Sequence, residues 1–183
     1  AKKEHSIAFM GALNVAHNEN GIMHFIENCM PIIVDKISDA KLYIIGGGAS
    51  ESLKKYESDY VIFMGRVPDV RVAVRECQVF ICPLQFGSGI KTKNLEAMAM
   101  GLPVITTKIG AENIDACNGK EWIVAETDEE FSKSVIQLLN SSNEQRDKMG
   151  WAAKEFVKNN FTWKNAETVF KELINNEKNT TYF

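Results

Sequence analysis

Between residues 83 and 96 the chain reads Pro-Leu-Gln-Phe-Gly-Ser-Gly-Ile-Lys-Thr-Lys-Asn-Leu-Glu, and this stretch holds the residue types that grip a phosphorylated ligand. Gly87 and Gly89 let backbone amides approach an anion with no Cβ in the way, and the loop feeds the N-terminus of a helix whose free N–H groups favour negative charge. Lys91 and Lys93 set two positive charges beside those amides. Glu96 follows about one and a half helical turns after Lys91, where a carboxylate accepts both hydroxyl hydrogens of a ribose. A phosphate cradle and a ribose acceptor together describe a nucleotide. The plainer alternative is a glycine turn leading into a helix with solvated lysines.

Three more loops have unusual composition. Gly11 opens the first, Gly46, Gly47 and Gly48 form the second, and Gly65, Arg66 and Val67 begin the third. The triple glycine is no dinucleotide fingerprint, because Glu51 stands where G-x-G-x-x-G needs its last glycine, and the Walker pattern is absent as well. It reads either as a tight turn that exposes backbone to a ligand or as a purely structural turn. Arg66 and Val67 precede Pro68 and Asp69, which also make an ordinary helix start.

The elements that must position these loops follow from periodicity. Short apolar runs at residues 6–10, 41–45, 60–64, 78–82, 103–107 and 121–125 alternate with helical patterns, which predicts a parallel sheet of about six strands with helices on both faces. In such a sheet the ligand lies outside the carboxyl ends of the strands, where all four loops fall. Ile22, Phe25, Ile26, Cys29 and Ile33 mark a helix that Pro31 should break. Ser50 and Asp69 are expected to cap short helices, and residues 94–100 to form the helix before the fifth strand. Beyond the sixth strand only helices are expected: one started by a Thr127–Glu130 capping box, one over residues 143–159, and a final one over residues 163–176. In the last, Ala166, Val169, Phe170, Leu173 and Ile174 share one face.

The chain has 183 residues, 45% apolar and 25% charged, which suits one globular domain with a buried core. A net charge of -3 argues against a general nucleic-acid surface. Cys29, Cys77, Cys82 and Cys117 lie far apart without metal-ligand spacing, so a reduced, cytoplasmic protein without a metal centre is expected, at most peripheral to the inner face of a membrane. His5, His17 and His24 read as surface or local structural groups.

From residue 9 to residue 163, and most specifically in Gly-Ser-Gly-Ile-Lys-Thr-Lys-Asn-Leu-Glu-Ala-Met-Ala-Met-Gly-Leu-Pro-Val at 87–104 and Ile-Gly-Ala-Glu at 109–112, the chain resembles the C-terminal domain of the family 4, or group 1, glycosyltransferases. The resemblance implies a Rossmann-like three-layer sandwich, the C-terminal half of a GT-B fold. It also implies a single nucleotide-sugar-binding domain over residues 1–183, whose N-terminal acceptor domain belongs to the same parent chain. Gly87, Ser88, Gly89, Ile90, Lys91 and Lys93 would then hold the donor diphosphate, Glu96 the ribose, and Arg66 and Val67 the base. Gly11, Gly47, Gly48 and Glu112 would border the donor cleft, Glu112 equally well capping local structure. The final helix would either cover its own sheet or cross toward the missing domain.

Two departures from the family pattern stand out. Ser88 occupies the place of a glutamate that lies near the transferred sugar in many members, and Ala12 and Asn20 stand where an Arg and a Lys are common. Lys91 is the natural substitute for the lost charges and the group expected to stabilise the departing diphosphate. The implied reaction moves a sugar from a nucleoside-diphosphate sugar to a hydroxyl of a glycan, lipid-linked or other acceptor, with retention and without a cofactor, and an isolated half should be inactive. Two rivals share the same site: a nucleotide-sugar epimerase of the same fold, and a non-catalytic nucleotide-sugar-binding module.

Overall fold

The computed structural model describes residues 3–161. It begins with strand β1 (Ser6–Met10), helix α1 (Ala16–Asn28), α2 (Met30–Lys36) and β2 (Lys41–Ile45). Next come α3 (Glu51–Lys54), β3 (Val61–Gly65), α4 (Val70–Arg75), β4 (Val79–Cys82) and α5 (Thr92–Ala99). Then follow β5 (Val104–Thr107), α6 (Lys108–Ala111), β6 (Ile123–Ala125), α7 (Asp128–Asn140) and α8 (Asn143–Asn160). The expected final helix over residues 163–176 lies outside the described residues.

The strands form one six-stranded sheet in the order β3-β2-β1-β4-β5-β6 with every pairing parallel. Alternation along β1 shows how the sheet serves two cores. Ile7 and Phe9 join a cluster with Ile22 and Phe25 of α1, Ile33 of α2, and Phe131 and Val135 of α7. Ala8 and Met10 face the opposite way, onto Val74 of α4, Met98 of α5 and Ala153 of α8. The result is the expected α/β/α sandwich, built because side chains of a strand point to opposite faces in turn.

Local signals account for most element limits. Pro31 falls in the first turn of α2, so the helical pattern breaks at Cys29 instead of running through. Ser50 accepts a hydrogen bond from the Leu53 amide, and Asp69 one from Arg71. The Thr127 hydroxyl accepts from the Glu130 amide, but the Glu130 carboxylate reaches back to the amide of Glu126 and not to that of Thr127, so the expected box is reciprocal only in part. The complete box stands one helix later, between Ser142 and Gln145. Strand β5 starts at Val104 because Pro103 has no N–H to offer the ladder, although its carbonyl still accepts from Phe80 at 2.9 Å. Helix α6 was not expected from the sequence; its four residues are too few to show a period. Among the described residues no helix is long and apolar enough to cross a membrane.

One loop contact fixes the relation of the first two strand ends. Gly46 has φ +145°, and a Cβ there would lie 1.9 Å from the Gly11 carbonyl oxygen. Only glycine permits both the backbone angle and the approach, so the loops after β1 and β2 are in direct backbone contact.

Candidate functional site

The strand order reverses direction between β1 and β4, and the crevice outside their carboxyl ends is where a doubly wound sheet receives a ligand. A cleft of about 730 Å³ opens there. Of the thirteen candidate site residues it collects nine: Gly11, Gly47, Arg66, Val67, Ser88, Ile90, Lys91, Lys93 and Glu96. Four loops distant in sequence therefore meet at one place. Gly48, Gly87, Gly89 and Glu112 are not in the cleft wall. Gly48 packs on Asn14, and Gly87 and Gly89 shape the loop through φ values of +125° and +75°. Glu112 ends α6 and brings its carboxylate to 4.0 Å from the Lys91 ammonium.

The helix starts differ in a way that matters for an anion. Ser50, Asp69, Thr107, Thr127 and Ser142 each cap their helix with a side chain. At the starts of α1 and α5, the N-cap residues Val15 and Lys91 provide no side-chain cap. Both of these starts face the cleft. Their first-turn amides and dipole ends are thus directed to the same space, a ready receptor for negative charge.

The two lysines behave differently. Lys91 is 6% exposed, and its ammonium donates to the carbonyls of Ser88 at 2.8 Å and Gly89 at 2.7 Å. It therefore braces the glycine loop while reaching the cleft wall. Lys93 projects across to the loop after β1: its ammonium donates to the Asn18 carboxamide oxygen and lies 4.7 Å from the centre of the Phe9 ring. Asn18 is buried and anchored in turn by donating to the Ala12 carbonyl at 2.9 Å. A Cβ at Gly11 would come 2.9 Å from the Lys93 ammonium, which shows how close that charge sits to the first loop. Burial pushes the Lys93 pKa down. The same crowding acts on His17, whose pKa is lowered first by burial and then by the ammonium groups of Lys93 and Lys91. Arg66, Lys91 and Lys93 share the cleft wall with the Glu96 carboxylate.

A buried polar layer steadies the loop after β4. Asn94 donates to the Gly110 carbonyl at 2.8 Å and Thr107 donates to that of Leu84 at 2.6 Å, so α5 and the loop are tied to α6. Glu96 is exposed on α5 at the cleft wall. The sequence reading missed His17 and Asn18. Their signal was positional, since both begin the helix that follows Gly11 at the switch point, but neither residue type stands out without the neighbour that comes from α5.

Comparison with known proteins agrees with this architecture. Over 178 residues the chain is 27% identical to a 44.6 kDa protein in the cps region of Klebsiella pneumoniae, with 91% of this chain and 45% of that protein aligned. It is 27% identical over 169 residues to the capsular polysaccharide biosynthesis glycosyltransferase CapM of Staphylococcus aureus, covering 85% of this chain and 44% of CapM. The chain thus spans less than half the length of these relatives. The crystal structure of S. aureus TarM with UDP, α-GlcNAc-glycerol and Fondaparinux has the same fold, with a TM-score of 0.78 at 17% identity over 95% of this chain and 35% of TarM. The family model of the group 1 glycosyl transferases matches residues 4–141. With residues 4–141 matching the family model and a parallel Rossmann-like sheet, the chain belongs to the group 1 glycosyltransferases and has the fold of one half of a GT-B enzyme.

Proposed function

We propose that this chain binds a nucleoside-diphosphate sugar and, with the remainder of a GT-B enzyme, transfers the sugar to a hydroxyl acceptor with retention of configuration. The observation that carries the reading is the meeting, in one cleft, of Lys91, Lys93, two uncapped helix starts and the Glu96 carboxylate. The diphosphate would lie against the amides of Ser88 and Ile90 and the two ammonium groups. Glu96 would accept from the ribose hydroxyls, and the backbone at Arg66 and Val67 would meet the base.

As the bond from sugar to phosphate lengthens, negative charge grows on the departing diphosphate, and cations and amides already in place stabilise that charge without reorganising. Ser88 cannot serve as a carboxylate nucleophile, which favours a path in which the leaving group and the acceptor share the same face of the sugar. The naming of CapM for capsular polysaccharide biosynthesis and the presence of UDP with TarM support a glycan acceptor and a nucleoside-diphosphate donor. The domain alone would bind donor without appreciable transfer, because the acceptor is held by the other half.

Titration calorimetry with UDP, GDP and ADP tests the reading. One of the three should bind, and Glu96→Gln should weaken it roughly tenfold or more, the loss expected for about 1.5 kcal/mol of hydrogen bonding to a charged group. A folded sample that gives no heat with any of them refutes the assignment.

A further inference from the structure

His17 belongs to the first turn of α1 and lines the cleft. Its ring adjoins the glycine loop: a Cβ on Gly87 would lie 3.7 Å from both His17 Cγ and Lys91 Nζ. Imidazole and ammonium therefore flank the same glycine. We propose that His17 takes up a proton when a nucleoside diphosphate enters the cleft, and that the resulting imidazolium is a third cationic donor to the diphosphate beside Lys91 and Lys93. The inference rests on the nucleotide reading above and adds a proton-coupled binding residue to it.

The surroundings explain why the proton arrives with the ligand. Burial, the two ammonium groups and the positive end of α1 all act against the charged ring. Arg66 from the loop after β3 adds a further positive group to the cleft wall. The acidic groups nearby are engaged or displaced. Glu19, on the same helix, accepts from the Ser50 hydroxyl; Glu112 faces Lys91 at 4.0 Å; Glu96 stands farther along α5, at the cleft wall. An arriving diphosphate brings negative charges into the space between these cations, and that reverses the balance at the ring. Protonation adds one N–H donor and removes one acceptor, which suits phosphate oxygens.

The linkage has a definite sign. Bound His17 would have a higher pKa than free His17, so binding takes up a proton in the interval between the two values and tightens as pH falls through it. A nucleotide sugar is the proper probe because its diphosphate is a diester with no group titrating near neutrality. UDP-glucose, GDP-mannose and ADP-glucose should be titrated into the 183-residue chain at pH 8 and pH 6, in pairs of buffers with different ionisation enthalpies. The nucleotide sugar that binds should do so severalfold more tightly at pH 6, with fractional proton uptake. His17→Gln should abolish both the uptake and the pH slope.

A direct reading needs no variant: the His17 imidazole resonance, followed by NMR from pH 5 to 8, should titrate at higher pH with the bound ligand than without. A matching nucleoside lacking phosphate should leave that titration where it is. Binding of a nucleotide sugar with an unmoved His17 titration overturns this inference and leaves the nucleotide reading standing. Failure of all three nucleotide sugars to bind overturns both.

Discussion

Lys91 and Lys93 stand two positions apart in the chain, yet their ammonium groups do different work. Two of the donors on Lys91 are directed at carbonyls of its own loop, whereas Lys93 crosses to Asn18 and the loop after β1. Lys93→Met should therefore reduce the preference for a nucleoside diphosphate over its nucleoside by about tenfold or more, with the melting temperature nearly unchanged. Lys91→Met should loosen the loop, seen as faster hydrogen exchange at the amides of residues 87–90. Gly11→Ala offers a test without removing charge. The new methyl would lie 2.9 Å from the Lys93 ammonium and 3.0 Å from the buried Asn18 carboxamide, so diphosphate affinity should fall together with some stability, as paired calorimetry and thermal melts would record.

At this scale the residue types of the site were legible in the sequence, and its partnerships were not. Gly87, Lys91, Lys93 and Glu96 could be picked out because they share one short run. The contact of Lys93 with Asn18 joins residues 75 positions apart, and no local pattern carries it. Ala12 on the first loop and Asn20 in α1 stand where the family resemblance implies cations, but only the fold reveals that Lys93 brings a charge to that loop from α5.

Among the elements, α7 and α8 are joined by a side chain that the sequence reading passed over. Arg146 is 5% exposed, and its guanidinium donates to the carbonyls of Leu138 at 2.9 Å and Leu139 at 3.1 Å and to that of Ser141. It closes the C-terminal end of α7, where free carbonyls and the negative end of the helix call for a cation. Arg146→Ala should destabilise the protein by about 2–4 kcal/mol, because it strips partners from buried carbonyls, and thermal or urea unfolding would measure the loss. The strands were legible to within one or two residues because continuous apolar runs are local properties, and β1 and β4 are buried at every position. Helix α6 was not, since its start depends on the Thr107 hydroxyl reaching the Gly110 amide and on Asn94 arriving from α5.

For the molecule as a whole, the burial of His17 beside the ammonium groups of Lys93 and Lys91 makes stability depend on pH. The folded pKa of His17 is lowered, so between that value and the ordinary histidine range the unfolded chain binds more protons than the folded one. Stability is then fully present above the ordinary range and declines as pH falls through it. Melting temperature should drop between pH 7.5 and 5.5, and His17→Gln should flatten that drop. The sheet order, too, was only partly open to sequence reasoning. Alternating strands and helices imply parallel pairing, but the placement of β4 beside β1, which creates the cleft, is a long-range choice set by how the helices divide between the two faces.

The bare start of α1 has a consequence for anyone who would make this protein hardier. Val15→Asp would supply the side-chain cap that α1 lacks and should add about 1 kcal/mol of stability, seen as a higher melting temperature. It would also place a carboxylate in the space proposed for the diphosphate, and on that reading nucleotide affinity should collapse. Selection by heat resistance alone would thus favour variants that have traded away their ligand, and a library built on this scaffold should be screened for binding at position 15 before it is screened for endurance.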